Sequence, residues 1–380
     1  MTGRQTIVQL LPQLNSGGVE RGTLEINRAL VAAGHRSIVI SGGGRMVDQL
    51  EAEGGEHVTM PVWKKSPLTL LQVPTMRRWM QTVRPDVMHA RSRVPAWVTW
   101  LAWKRLPAES RPAFVTTAHG MNKPNAYSRI MTRGETVIAV SQTCRDYLLS
   151  CYPDVNPDKV RVIHRGVSPD EFPHGYRPDS VWQKQWYHTY PQLRDQFVAC
   201  LPGRVTRFKG HLDFLEALAR LKAEGRMIHG VIAGGEDPRR KAYSLELRAR
   251  IRTLGLTEQV VFTGHRNDIK DVISICDVSI STSIRPPESF GRAVLESVRL
   301  GKITLGYAHG GVGEVLSTVF PAGCVPLQDV DFLAAQMAAA MDGRIATPAA
   351  GSQFSLAAMQ KAELQLYNEL TAGCGQRQAA

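Results

Sequence analysis

Two stretches of the sequence pair charged side chains with glycine in a way that suits anions and hydroxyl groups. Gly203-Arg204-Val205-Thr206-Arg207-Phe208-Lys209-Gly210 directly follows a β-branched apolar run. Arg204 and Lys209, held at the carboxyl end of a strand, can neutralise a diphosphate leaving group. A solvated loop with incidental charge is the plainer alternative. In Pro286-Pro287-Glu288-Ser289-Phe290-Gly291-Arg292-Ala293-Val294-Leu295-Glu296 the carboxylates Glu288 and Glu296 stand eight residues apart. One falls just before an expected helix and the other two turns into it, so both can face one ligand from different heights. Such a pair suits hydroxyl recognition on a sugar and a ribose. Glycoside hydrolases also use paired carboxylates, and a helix cap with a surface Glu would need neither.

Three weaker signals accompany them. Gly17-Gly18-Val19-Glu20-Arg21 follows the first strand and opens a helix. Adjacent glycines admit a ligand close to the backbone, and a helix N-terminus favours an anion. His119-Gly120 ends another strand, where an imidazole can reach a ligand or serve the structure. Gly310-Gly311-Val312-Gly313-Glu314 is a second glycine turn before a helix. Asp329-Val330-Asp331 looks like a metal pair but falls between elements, so it is expected to be a solvated turn and no metal is assigned. G-x-x-x-x-G-K-[ST] and G-x-G-x-x-G are both absent, which argues against P-loop and dinucleotide binding.

Elements that could position these residues alternate along the chain. Seven strands are expected over residues 6–11, 37–41, 57–60, 87–89, 113–117, 136–140 and 160–163. Helical stretches between them cover 19–33, 45–53, 68–82, 96–104 and 142–150. Residues 168–196 hold four prolines and five Trp or Tyr residues, and form a linker with one short helix. Six further strands follow, over 197–202, 228–233, 260–263, 278–281, 303–306 and 323–325. This alternation defines an α/β chain of parallel βαβ units in two doubly wound domains. Ligands in such sheets bind beyond the carboxyl ends of the strands, and two facing sheets would form a cleft. The expected boundaries are 1–173, a linker at 174–196, 197–352, and a terminal helix and tail at 353–380, with the helix itself over 355–370. Its tether, 346–351, would let it pack back on the first domain.

With 380 residues, 43% hydrophobic and 21% charged, the composition excludes disordered and collagen-like chains. The six cysteines show no zinc or disulfide spacing, so reduced thiols in a cytoplasmic protein are expected. No apolar run reaches the length of a membrane span, and Ile7–Leu11, broken at Pro12, does not fit a signal peptide. The net charge of +12 is the unusual number. Between Met60 and Arg111, ten cations oppose only Asp86 and Glu109. Residues 91–105 add Trp97, Trp100 and Trp103 between cations. This pattern fits an interfacial helix on anionic lipid, or equally a buried helix face. A nucleic-acid partner lacks zinc, aromatic RNP or basic-tail support. Among enzymes, a sugar-nucleotide epimerase of similar two-domain architecture is an alternative reading.

The ordered set of motifs resembles the group 1 retaining sugar-nucleotide glycosyltransferases of the GT-B fold. It runs through Gly17-Gly18, His119-Gly120, Ala139-Val140-Ser141, Ile163-His164-Arg165-Gly166-Val167, Gly203-Arg204 with Lys209-Gly210, Phe262-Thr263-Gly264-His265-Arg266, Glu288 with Glu296, and Gly310-Gly311. Pro286-Pro287-Glu288-Ser289-Phe290-Gly291 is most similar to enzymes of lipopolysaccharide core or surface polysaccharide assembly. The resemblance implies two facing Rossmann-like domains with a C-terminal helix crossing back to the first. It implies a nucleoside-diphosphate sugar donor, a UDP-sugar, and a lipid-linked or lipopolysaccharide-core acceptor. Arg204 and Lys209 would bind the diphosphate, and Glu288 the sugar hydroxyls. Ser289, Phe290 and Gly291 would contribute backbone contacts, and Glu296 would take the ribose. His265 and Arg266 would border the base. Gly17 and Gly18 would close on the phosphates and His119 would touch the transferred sugar. No metal or other cofactor is implied, and the enzyme would work peripherally on the cytoplasmic face of the inner membrane through residues 60–111. Arg165 departs from the family pattern, either as a phosphate contact or as a surface charge.

Overall fold

The computed structural model describes residues 3–15, 17–236 and 241–378, the side chains of 241 and 373–378 excepted. The chain forms two compact units. One is the chain up to Gly166 together with the chain from Leu356 onward; the other is Val167–Ser355.

The first unit holds seven strands: β1 (Thr6–Leu10), β2 (Arg36–Ser41), β3 (Glu56–Thr59), β4 (Val87–Ala90), β5 (Ala113–Ala118), β6 (Thr136–Ala139) and β7 (Val160–Val162). All pair in parallel, in the order β3-β2-β1-β4-β5-β6-β7. Successive strand residues point to opposite faces, and here both faces are apolar. Val8, Leu10, Met88 and Ala90 join helices Val73–Val83 and Arg93–Trp103 on one side. Ile7, Val87 and Val115 meet helix Gly18–Ala32 and the terminal helix on the other. That terminal helix, Leu356–Gln378, therefore belongs to the first sheet, with Met359, Leu366 and Tyr367 in its core.

The same face carries a polar seam. Gln9, His89 and Thr117 occupy inward positions on the adjacent strands β1, β4 and β5, and all are buried. Arg91 follows β4 and is buried too. Its Nη2 donates to Glu363 Oε2 of the terminal helix at 2.7 Å, and its Nε donates to Gln9 Oε1 at 2.8 Å. The Tyr367 hydroxyl donates to the same Glu363 oxygen at 3.0 Å. Its one proton is thus spent, so His89 Nδ1 donates to Tyr367 (2.7 Å) while Nε2 accepts from Thr117 (2.5 Å). Burial, with the positive charge of Arg91 adding to it, pushes the His89 pKa well below the ordinary histidine value, which keeps this neutral tautomer.

One expected feature differs. The stretch over 68–82 divides into a 3-10 helix, Pro67–Gln72, and an α-helix, Val73–Val83. Pro67 and Pro74 each fit a first turn, and neither fits a helix interior, so one continuous helix is disfavoured. The three tryptophans of helix Arg93–Trp103 pack against the core. Two of the ring nitrogens serve the fold: Trp97 Nε1 donates to Tyr127 O and Trp103 Nε1 to Pro112 O.

The second unit holds β8 (Phe197–Pro202), β9 (Ile228–Ala233), β10 (Val260–Phe262), β11 (Val278–Ser281), β12 (Ile303–Tyr307) and β13 (Cys324–Val325). These are also all parallel, in the order β10-β9-β8-β11-β12-β13. The linker helix Ser180–Thr189 is capped by Asp179, which accepts from Val181 N and Trp182 N. Trp186 of that helix joins the core beneath β8 and β9. Asp329 caps helix Val330–Met341 by accepting from Phe332 N, and Asp331 pairs with Arg220. Cys144, Cys151, Cys200, Cys276 and Cys324 are free thiols; Cys374 lies outside the described side chains.

The seam sets a prediction. Removing one partner of a buried ion pair leaves an uncompensated charge. Glu363→Ala should therefore cost about 3–5 kcal/mol in urea unfolding. Glu369→Ala, which breaks an exposed pair with Arg161, should cost under about 1 kcal/mol.

Candidate functional site

In the second unit the chemistry-bearing residues gather at the carboxyl ends of the strands. Gly203-Arg204 leaves β8, His265 leaves β10, and Thr282 to Glu288 follow β11. Because β8 and β11 are neighbours, residues 79 positions apart meet. Lys209 Nζ donates to Glu288 Oε1 at 2.6 Å, and Ser283 Oγ donates to the same oxygen at 2.6 Å. Both charged side chains are 18% exposed. Burial alone would push the Glu288 carboxyl up. The Lys209 charge and the two hydrogen bonds outweigh it and hold the pKa below the ordinary carboxylate range. Glu288 is therefore ionised at neutral pH. Its Oε2 makes no hydrogen bond among the described residues.

Backbone approach makes this meeting possible. Gly210 sits at φ 68, and a Cβ there would fall 1.8 Å from Thr282 O. The Thr282 hydroxyl ties the two loops by donating to the Lys209 and Gly210 carbonyls. Gly311 N donates to Glu288 O at 2.7 Å, and a Cβ on Gly311 would lie 2.4 Å from Phe290 N. The Gly310-Gly311 turn thus supports the Glu288 loop from below. Phe290 is buried, edge-on to Phe354, while Ser289 stays half-exposed. Gly291 caps helix Arg292–Arg299, which carries Glu296. Arg204 is exposed and makes no ion pair among the described residues.

Other expected site residues carry partners of their own. Glu296 is buried and accepts from Arg292 Nε at 2.9 Å. Nothing but its i,i+4 spacing marked Arg292 in the sequence. Arg266 forks onto Asp268, which also accepts from Trp182 Nε1, and it lies over the Trp186 ring. His265 is exposed and contacts Asn267. Among the described residues no group of three or more His, Cys, Asp or Glu converges as a metal site would.

The first unit places its own candidates at the carboxyl ends of β1 and β5. Gly17 caps helix Gly18–Ala32, and Gly18 has open space where a side chain would stand. His119 follows β5 and is half-buried. Burial, then the charges of Arg165 and Arg91, push its pKa well below the ordinary histidine value. Arg165 is not a surface charge. It is buried, donates to Gly18 O at 3.0 Å and pairs with Glu25 at 3.4 Å. A Cβ on Gly22 would collide with its guanidinium, so that glycine makes its room.

Two all-parallel Rossmann-like units with these residues at their strand ends define the GT-B class of sugar-transferring enzymes. Residues 189–352 match glycosyl transferases group 1, and residues 16–171 match glycosyltransferase family 4. The chain belongs to the group 1 glycosyltransferases. It is similar to a glycosyltransferase from Rickettsia africae ESF-5, at 29% identity, TM-score 0.80, over 97% of this chain and 99% of that one. It shares the fold of Anabaena Alr3699/HepE, solved with UDP-glucose, at 20% identity and TM-score 0.74, over 99% and 98% of the two chains. It is 25% identical to alpha-maltose-1-phosphate synthase of Mycobacterium tuberculosis over 59% of this chain and 57% of the synthase. The match thus spans little more than half the length of that curated relative. No described helix is long and apolar enough to cross a membrane.

Beside Lys209, His211 is buried, and burial with the Lys209 charge pushes its pKa down to about 4. An unfolded chain protonates this ring near 6.5, so its contribution is whole above that pH and is lost as pH falls toward 4. Between about pH 6.5 and 5 the loss should reach about 2 kcal/mol. Urea midpoints measured across that window should fall less steeply in His211→Gln than in the wild type.

Proposed function

We propose that this glycosyltransferase moves a sugar from a UDP-sugar to a hydroxyl of a lipid-linked glycan of the lipopolysaccharide-core kind, with retention at the anomeric carbon. The observation that carries the proposal is the divided use of Glu288. One oxygen is held by Lys209 and Ser283, and the other is left to accept from a sugar hydroxyl. Lys209 spends one of its three donors on Glu288 and keeps two for phosphate oxygens. Arg204 supplies a second, unpaired cation on the neighbouring turn.

As the bond between the anomeric carbon and the diphosphate breaks, charge grows on the leaving phosphate. Preorganised cations stabilise that charge without having to reorganise. The acceptor oxygen bonds to the same face of the carbon, and its proton passes to the departing phosphate oxygen. The two cations and the amides of the helix capped by Gly291 make a metal unnecessary in this scheme. Glu296 takes the ribose from beside Arg292. His265 and Arg266 meet the base mainly by backbone, since Arg266 is held by Asp268. Ser289, Phe290 and Gly291 offer backbone contacts to the sugar. In the first unit Gly17-Gly18 admits phosphate oxygens, and neutral His119 serves a sugar hydroxyl. Support for uridine comes from the Anabaena relative of the same fold, solved with UDP-glucose. The basic segment 60–111 favours an acidic, membrane-borne acceptor.

A thermal-shift screen of nucleoside diphosphates tests the donor. The cognate one, at about 100 times its Kd, should add about 2.7 kcal/mol of stability. Equal shifts with every base would remove the uridine assignment. Lys209→Ala and Glu288→Ala should each lower kcat by about 100-fold or more while the fold is retained. Near-wild-type turnover in a folded variant would remove that residue from the site. Product NMR should show the donor's anomeric configuration, and turnover should survive EDTA.

A further inference from the structure

A groove lies in the first unit, built by the segments that follow β3, β4 and β5. Its floor is Val94, Trp97 and Leu101 of helix Arg93–Trp103, and its wall runs from Lys64 to Leu70. The cavity is about 550 Å³, within the range that holds a small ligand. Across Leu70 and Leu101 it adjoins a second hollow of about 560 Å³, bordered by Arg77, Arg78 and Arg105. Leu70 is 45% exposed, and on the same turn Leu68 and Leu71 are 72% and 69% exposed. An apolar patch rimmed by polar groups marks an interaction site.

Charge and hydrogen bonding decide what fits. Lys64, Lys65, Arg77, Arg78, Lys104 and Arg105 make no ion pair with a carboxylate among the described residues. They present unneutralised positive charge around an apolar floor. In the wall Thr69 Oγ1 donates to Lys64 O and Ser66 Oγ accepts from Leu68 N, while the buried Tyr127 hydroxyl of the lining makes no hydrogen bond among the described residues. These few groups cannot pair the N–H and C=O groups of every residue of a peptide laid here, a cost that a hydrocarbon chain does not incur. The lining thus favours an alkyl chain with an anionic head.

We propose that this groove binds the apolar chain of a lipid phosphate. Lys64 and Lys65 hold the phosphate, and Leu68 and Leu71 enter the bilayer beside it. The bilayer contact falls on the 3-10 helix Pro67–Gln72, while Trp97, partly buried against the core, lines the groove floor. That the bound lipid is the acceptor's anchor rests on the transferase proposal above; the binding itself does not.

Calorimetric titration of the full chain with monomeric dodecyl phosphate tests it. Saturable binding is expected, weaker by about tenfold or more in the double variant Lys64→Gln/Lys65→Gln and in Leu70→Ser. The neutral amphiphile dodecyl maltoside should bind about tenfold more weakly, and inorganic phosphate alone should not saturate the site. Sedimentation with phosphatidylglycerol vesicles should drop about tenfold in Leu68→Ser/Leu71→Ser. Absent saturation, equal affinity in the lysine variant, or equal affinity for the maltoside would overturn the proposal. So would binding to vesicles without binding to the monomer, which would reduce the groove to a charged surface. The UDP thermal shift serves as the independent control and should persist in all these variants. Its absence in wild type, with dodecyl phosphate still bound, would sink the donor assignment alone.

Discussion

The contact between Lys209 and Glu288 sets the terms for the second unit. A cation and a carboxylate only 18% exposed are stable together only because each compensates the other's lost water. Neither could be placed there by its own loop. The parallel sheet brings the ends of β8 and β11 side by side, and glycine at 210 lets the first loop lie against the Thr282 carbonyl. Gly311 then supports the second loop through the Glu288 carbonyl. The result is a charged pair whose geometry is set before any ligand arrives. In electrostatic catalysis that prior ordering is what lowers a barrier, since no dipole has to turn during the reaction.

The first unit uses charge in two different ways. Arg91 and Arg165 are internal and matched by Glu363 and Glu25, and both bear on the proton affinity of His119. The cations around Pro67–Gln72 are external and unmatched. Of the ten cations between Met60 and Arg111, Lys64, Lys65, Arg77, Arg78 and Arg105 line the two adjoining hollows, while Arg91 is buried.

The strands were legible because parallel strands covered on both faces are short apolar runs between turns, as Phe197–Pro202 and Ile228–Ala233 illustrate. Lys209, Glu288 and Glu296 could be singled out by charge next to glycine at strand ends, although the first meeting depends on sheet order, which spacing alone does not give. Arg292 was missed because an arginine four residues before a glutamate on a helix is commonplace. The return of the terminal helix was legible in outline, but its contact with Arg91 was not. Arg91 and Glu363 stand 272 residues apart, and each alone reads as a surface charge. The available hint was polar: Gln9, His89 and Thr117 interrupt apolar strands at positions that face the same way. The surface role of Pro67–Gln72 was hidden because Leu68 and Leu71 read as core residues in a helical pattern.

The Arg91–Glu363 pair also orders events during synthesis. The second unit is one continuous segment and holds everything it needs once residue 355 has left the ribosome. The first unit begins earlier, yet its buried guanidinium waits for a carboxylate made 272 residues later, roughly 15 to 50 s at ordinary elongation rates. The domain that is started first is therefore the last to be completed, and for that interval the polar seam of its sheet stands open to water or to a chaperone.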